Sequence, residues 1–111
     1  MINWDRVIEL REEVGSEDFL EVVDLFLEEV DDVIERLQET DCSSEIEAQL
    51  HFLKGSALNL GFRALGELCS AGERLARDGR LGEFDLGDIF GVYGLSMAEF
   101  LAGSAERQFA A

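Results

Sequence analysis

Residues 44–62, SEIEAQLHFLKGSALNLGF, decide the fold through the spacing of their apolar side chains. Ile46, Leu50, Leu53, Ala57 and Leu60 recur at steps of 4, 3, 4 and 3, the period of a helix that buries one stripe. Ser43 or Ser44 with Glu47, S-x-x-E from Ser44, fits a capping box, so the helix is expected to start near Glu45, with Gly61 as its natural C-cap. At 100° per residue the stripe stays within about 40° of Ile46, whereas His51 lies about 140° away. The single histidine of the chain is therefore expected to point to solvent, or to lean along the groove beside the next helix.

The helical period continues in both directions. From Ile2 to about Val14 a short amphipathic helix is expected, capped by Asn3 and closed by Gly15. Ser16 is expected to cap a second helix, which reaches about Glu39 on a stripe of Phe19, Val22, Val23, Phe26, Val30, Val33, Ile34 and Leu37. Leu20, Leu25 and Leu27 fall outside that stripe, which leaves burial on a second side, the favoured reading, or a partly exposed apolar surface near the helix start. A fourth helix from Arg63 to Arg77 turns Leu65, Leu68, Cys69, Gly72, Leu75 and Ala76 inward and ends at DGR.

The last third also keeps a helical period, through Leu86, Ile89, Phe90, Tyr93, Met97, Phe100 and Leu101. Gly87, Gly91 and Gly94 each cost a helix about 1 kcal/mol relative to alanine. With Ala98 they share one face, which leaves two readings open: close approach by a neighbouring helix, or a broken helix. Short connections favour antiparallel neighbours. The expected fold is all-α, an antiparallel up-down four-helix bundle with a short additional N-terminal helix, as a single domain over residues 1–111.

Composition narrows the function. The 111 residues are 47% hydrophobic, contain no proline and carry a formal charge of −16, which disfavours nucleic acid and anionic membrane surfaces as partners. No apolar run is long enough to span a bilayer, and the charged start MINWDRVIEL is unlike a signal peptide, so a cytoplasmic protein is expected. Cys42 and Cys69 make no disulfide framework or zinc spacing, and Cys69 reads as helix packing. Residues 1–50 hold 17 acids against 3 bases, while residues 54–80 reverse the sign with 5 bases against 3 acids. The one stretch suited to an added anion begins at the histidine.

Lys54 and Gly55, three and four residues after His51, share its helix face. Lys54 offers an ammonium to an anion on the ring, Gly55 removes bulk that would block a partner, and Leu58 sets an apolar contact nearly in line with the imidazole. With an ordinary pKa of about 6.5, a histidine near neutral pH keeps a lone pair for attack on phosphorus. Phosphoryl transfer mainly requires in-line positioning and charge neutralisation. The site reads as a small docking surface around a nucleophile.

HFLKGSALNLGF, with His51, Lys54, Gly55, Ser56 and Gly61, resembles the histidine-containing phosphotransfer (HPt) domain family and its His-x-x-Lys-Gly hallmark. INWDRVIEL, the acidic helix over 16–39 and LGELCSAGERLAR extend the likeness over residues 2 to about 80. The resemblance implies a four-helix bundle whose exposed histidine takes a phosphoryl group from a receiver-domain aspartate in a multistep two-component phosphorelay and passes it to another receiver. It makes His51 the phospho-acceptor, Lys54 its electrostatic support, Gly55 the clearance and Ser56 a polar contact to the phosphate. It also sets Glu73 where some members carry a polar side chain that steadies the ring; a surface pair of Glu73 with Arg77 is the competing reading. It further implies receiver domains of response regulators or hybrid kinases as partners, a monomer, and no bound cofactor, with Mg²⁺ supplied by the receiver.

An enzyme of the kinase or phosphatase type fits less well. GFRALGE has glutamate where a phosphate-binding loop needs lysine, so the expectation is a phosphocarrier with no ATP site of its own. The alternative is an acidic helical adaptor whose histidine is inert.

Overall fold

Asn3 opens the first helix: its side chain accepts a hydrogen bond from the Arg6 N–H, satisfying a donor that the first turn leaves unpaired. The computed structural model describes residues 1–109 and contains five α-helices: α1 (Trp4–Val14), α2 (Phe19–Glu39), α3 (Ser43–Leu60), α4 (Arg63–Arg77) and α5 (Leu86–Glu106). A single 3-10 turn, Leu81–Glu83, lies between α4 and α5. Among the described residues no helix is long and apolar enough to cross a membrane.

The stripes expected from the sequence supply most of the core, although Val22 of α2 and Leu75 of α4 are only half-buried and lie outside it. Ile46, Leu50, Leu53, Ala57 and Leu60 of α3 are all buried, as are Phe19, Val23, Val30, Val33 and Leu37 of α2. Leu65 and Cys69 of α4 and Ile89 and Phe100 of α5 complete the same cluster. Burial pushes the Cys69 thiol pKa up to about 12, so it stays a neutral packing group.

The helices assemble as a bundle in which two neighbouring pairs are visibly antiparallel. Between α3 and α4, Glu47 meets Arg77, His51 meets Glu73 and Leu58 lies against Gly66, so one index rises as the other falls. Between α2 and the α5 segment, Phe19 packs edge-on against Phe109 while Tyr93 donates to Asp31 at 2.9 Å. The N-terminal segment clamps the α3–α4 corner: Asn3 N–H donates to the Gly61 carbonyl at 2.7 Å, and Arg6 reaches both the carbonyl and the side chain of Asn59. Gly61 is required at that corner, because its φ is +90° and a Cβ would stand 2.8 Å from Val7 and 2.9 Å from the Asn3 carbonyl.

Several local expectations are corrected. The α2 N-cap is Asp18 rather than Ser16, and α3 begins at Ser43 after Cys42, with no side-chain capping bond from Ser44; Glu45 instead accepts from the Thr40 hydroxyl. Leu20 and Leu25 are 42% and 57% exposed, and only Leu27 of that trio packs against the core. The C-terminal helix is unbroken through its glycines. Gly87, Gly91, Gly94 and Ala98 face solvent, with open space around Gly91 and Gly94, and Leu101 is exposed too. The close approach occurs at Gly103 instead, against the Trp4 indole, which also stacks on Phe100.

Two glycine substitutions are expected to move stability in opposite directions. Gly61→Ala forces an L side chain into a left-handed, crowded corner and should cost more than about 1 kcal/mol. Gly91→Ala, on an open helical surface, should stabilise by up to about 1 kcal/mol. Urea unfolding of both variants checks the pair.

Candidate functional site

The site lies on the outer seam between α3 and α4. His51 leaves α3 opposite the buried stripe, and its side chain is 69% exposed. Gly55, one turn on, has nothing within 4 Å of where a Cβ would stand, so the approach to the ring is open. Leu58 is 47% exposed on the same line and rests over Gly66 of α4, where a Cβ would come within 2.5 Å of it. Phe52 is also exposed. It went unremarked in the sequence, although its helical angle lies about 120° from the core stripe and so marked an apolar residue on the wrong side.

Glu73 organises the polar groups. It is nearly buried, with 7% of its side chain exposed, and it faces α3 rather than open solvent. Oε1 lies 2.7 Å from His51 Nδ1, and Lys54 Nζ stands 2.8 Å from Oε2. Arg77, one turn further along α4, reaches Oε1 at 3.3 Å and also lies 3.8 Å from Glu47. The two readings of Glu73 therefore coexist, since it meets His51 and Arg77 at once, and the surface part of the second reading fails.

The carboxyl pKa of Glu73 is lowered from its ordinary value, first by the hydrogen bond from Lys54 and then by His51, against the opposing effect of burial. An ionised carboxylate only accepts hydrogen bonds, so the short contact to Nδ1 requires the ring to carry its proton there. In the neutral ring the Nε2 lone pair is then free.

Ser56 is not part of this group. It is buried, at 8% exposure, about 140° around α3 from His51. Its expected contact to a phosphate on the ring is not supported by this position. Lys54 is only 28% exposed and is engaged with Glu73 in this state, rather than free in solvent. The exposed Arg63, Arg74 and Arg77 keep the surrounding α4 surface basic in an otherwise acidic chain.

In comparison with known proteins, a family model described as Hpt domain matches residues 21–86. No curated protein and no solved structure gives a significant match.

The lowered carboxyl pKa fixes a sign for acid stability. Because folding favours the ionised form of Glu73, its contribution is complete above the ordinary carboxylate pKa of about 4.3 and is lost as pH falls through the lower folded value. Between pH 7 and pH 3, wild type is expected to lose more unfolding free energy than Glu73→Gln. Urea titrations at the two pH values test this, and equal losses would rule the contribution out.

Proposed function

The chain belongs to the Hpt domain family, and from that premise we propose that it is a phosphocarrier of a multistep two-component phosphorelay, with His51 as its acceptor. A receiver domain's aspartyl phosphate delivers the group, and a second receiver accepts it. The observation that carries this reading is the exposed imidazole whose Nδ1 proton is held by an ionised carboxylate.

In the forward step the Nε2 lone pair attacks phosphorus in line, the N–P bond forms, and the P–O bond to the aspartate breaks with its electron pair leaving on the carboxylate. The ring gains positive charge as the bond forms. Glu73, 2.7 Å from Nδ1, stabilises that charge without having to move. Lys54 has only to exchange Glu73 Oε2 for a phosphoryl oxygen to neutralise the incoming group. The receiver brings the Mg²⁺, and this chain supplies no nucleotide site of its own. The reverse step returns the phosphoryl group to a receiver by the same path.

Docking follows from the surface around the ring. Phe52 and Leu58 offer exposed apolar contacts, Gly55 leaves clearance, and Arg63, Arg74 and Arg77 attract an acidic receiver site. The acidic remainder of the chain repels such a partner elsewhere, which restricts its approach to this seam.

Incubation with a phosphorylated receiver and Mg²⁺ is expected to give acid-labile, alkali-stable label that His51→Gln abolishes. An inert adaptor would bind without label, and label persisting in the variant would move the site elsewhere. Lys54→Ala is expected to slow transfer by about tenfold, the equivalent of ~1.4 kcal/mol, with the helical circular dichroism unchanged. Unaltered transfer kinetics would remove the lysine from the mechanism.

A further inference from the structure

Arg77 has no place in the transfer step described above, yet it is the third donor on the carboxylate that holds the histidine. Its Nη2 reaches Glu73 Oε1 at 3.3 Å, the same oxygen that His51 Nδ1 meets at 2.7 Å. By those two legs the guanidinium stands no more than about 6 Å from the ring nitrogen. A carboxylate oxygen shared between two donors attracts each less strongly than it would attract one alone. We propose that Arg77 is a positioning residue that competes with His51 Nδ1 for the shared oxygen of Glu73 and so weakens the hold of that carboxylate on the ring proton.

The charged groups around the ring support this assignment. From α3, Lys54 binds the other oxygen of Glu73, and Glu47 lies one turn before His51. From α4 come Glu73 itself, Arg77, and the buried Cys69, which burial keeps as an uncharged thiol. Among the described residues, no charged side chain of another element lies within ion-pair distance of His51 or Glu73. Lys54 and Arg77 thus divide the carboxylate between them. Lys54 is mostly covered, whereas Arg77 is 61% exposed and is held more loosely, at 3.3 Å to Glu73 and 3.8 Å to Glu47. Arg77 is therefore the cation of the pair whose hold on Glu73 is easier to change.

The sign follows from charge. Removing Arg77 takes a cation away from the ring and returns Oε1 wholly to Nδ1–H, and both effects favour the imidazolium. A unit charge about 6 Å away in a water-like dielectric is equivalent to about half a pKa unit. Arg77→Gln should therefore raise the His51 pKa by about that much, and Arg77→Lys should restore most of the wild-type value. Since His51 is the only histidine, its ring resonances report the titration without assignment ambiguity.

A double-substitution cycle tests the route, with His51 titrated by NMR in wild type, Arg77→Gln, Arg77→Lys, Glu73→Gln and the Arg77→Gln/Glu73→Gln pair. The proposal expects an upward shift for Arg77→Gln that falls to less than half its size once Glu73 is already glutamine. No shift, a downward shift, or a shift of full size without the Glu73 carboxylate would overturn it. The consequence for transfer rests on the function proposed above. The pH midpoint for phosphorylation of Arg77→Gln by a receiver should move up by the same roughly half unit, a shift read separately from any loss of plateau rate that the missing docking charge causes. Failure of wild type to accept phosphate would refute the phosphocarrier reading while leaving the titration to decide the role of Arg77.

Discussion

The separation between α3 and α4 is the constraint from which the site follows. Gly66 and Gly72 set it: a Cβ at Gly66 would collide with Leu58, and one at Gly72 would lie 2.8 Å from Phe84 and 3.0 Å from Leu50. With no side chains at those two positions, α4 lies close enough to α3 for Glu73 to reach His51 and Lys54 directly. A wider spacing would leave a nearly buried carboxylate without its partners, a state that costs several kcal/mol for an unpaired charge. The helix packing and the polar cluster therefore stabilise the same geometry.

That geometry resolves a conflict between two requirements. In the function proposed above, the acceptor must be exposed to meet its partner, but an exposed side chain rotates freely and loses the benefit of orientation. His51 is exposed over most of its surface and is still anchored at Nδ1 by a group fixed in the interhelical seam. The clamp of the N-terminal segment on Gly61 and Asn59 holds the corner from which both helices diverge. Residues far from the histidine thereby help fix its position.

Charge distribution acts over a longer range. A net charge of −16 in 111 residues opposes compaction and favours repulsion of other acidic surfaces. Within this background the basic side of α4 stands next to the histidine, and Lys54 and Arg77 both converge on Glu73. Under the proposed function, a phosphoryl group on His51 would bring its negative charge to a basic part of the described surface.

The helical stripes, the Gly61 stop and the outward direction of His51 were legible in the sequence, because each depends on a local period or on the backbone freedom of one residue. The caps of α2 and α3, the exposure of Leu20 and Leu25, and the solvent-facing glycines of α5 were not. Local patterns mark where a helix can begin and which side chains are apolar, but the neighbours available to cover them come from elsewhere in the chain. Ser56 illustrates the difference: its motif suggested a phosphate contact, while its helical angle turns it inward. By itself the sequence determined that a lone imidazole leaves a core-forming helix beside a lysine and a glycine. Only the tertiary structure decided which oxygen holds that ring and which cations share it, because Glu73 and Arg77 meet His51 across an interface of two helices, where the spacing within either one carries no information.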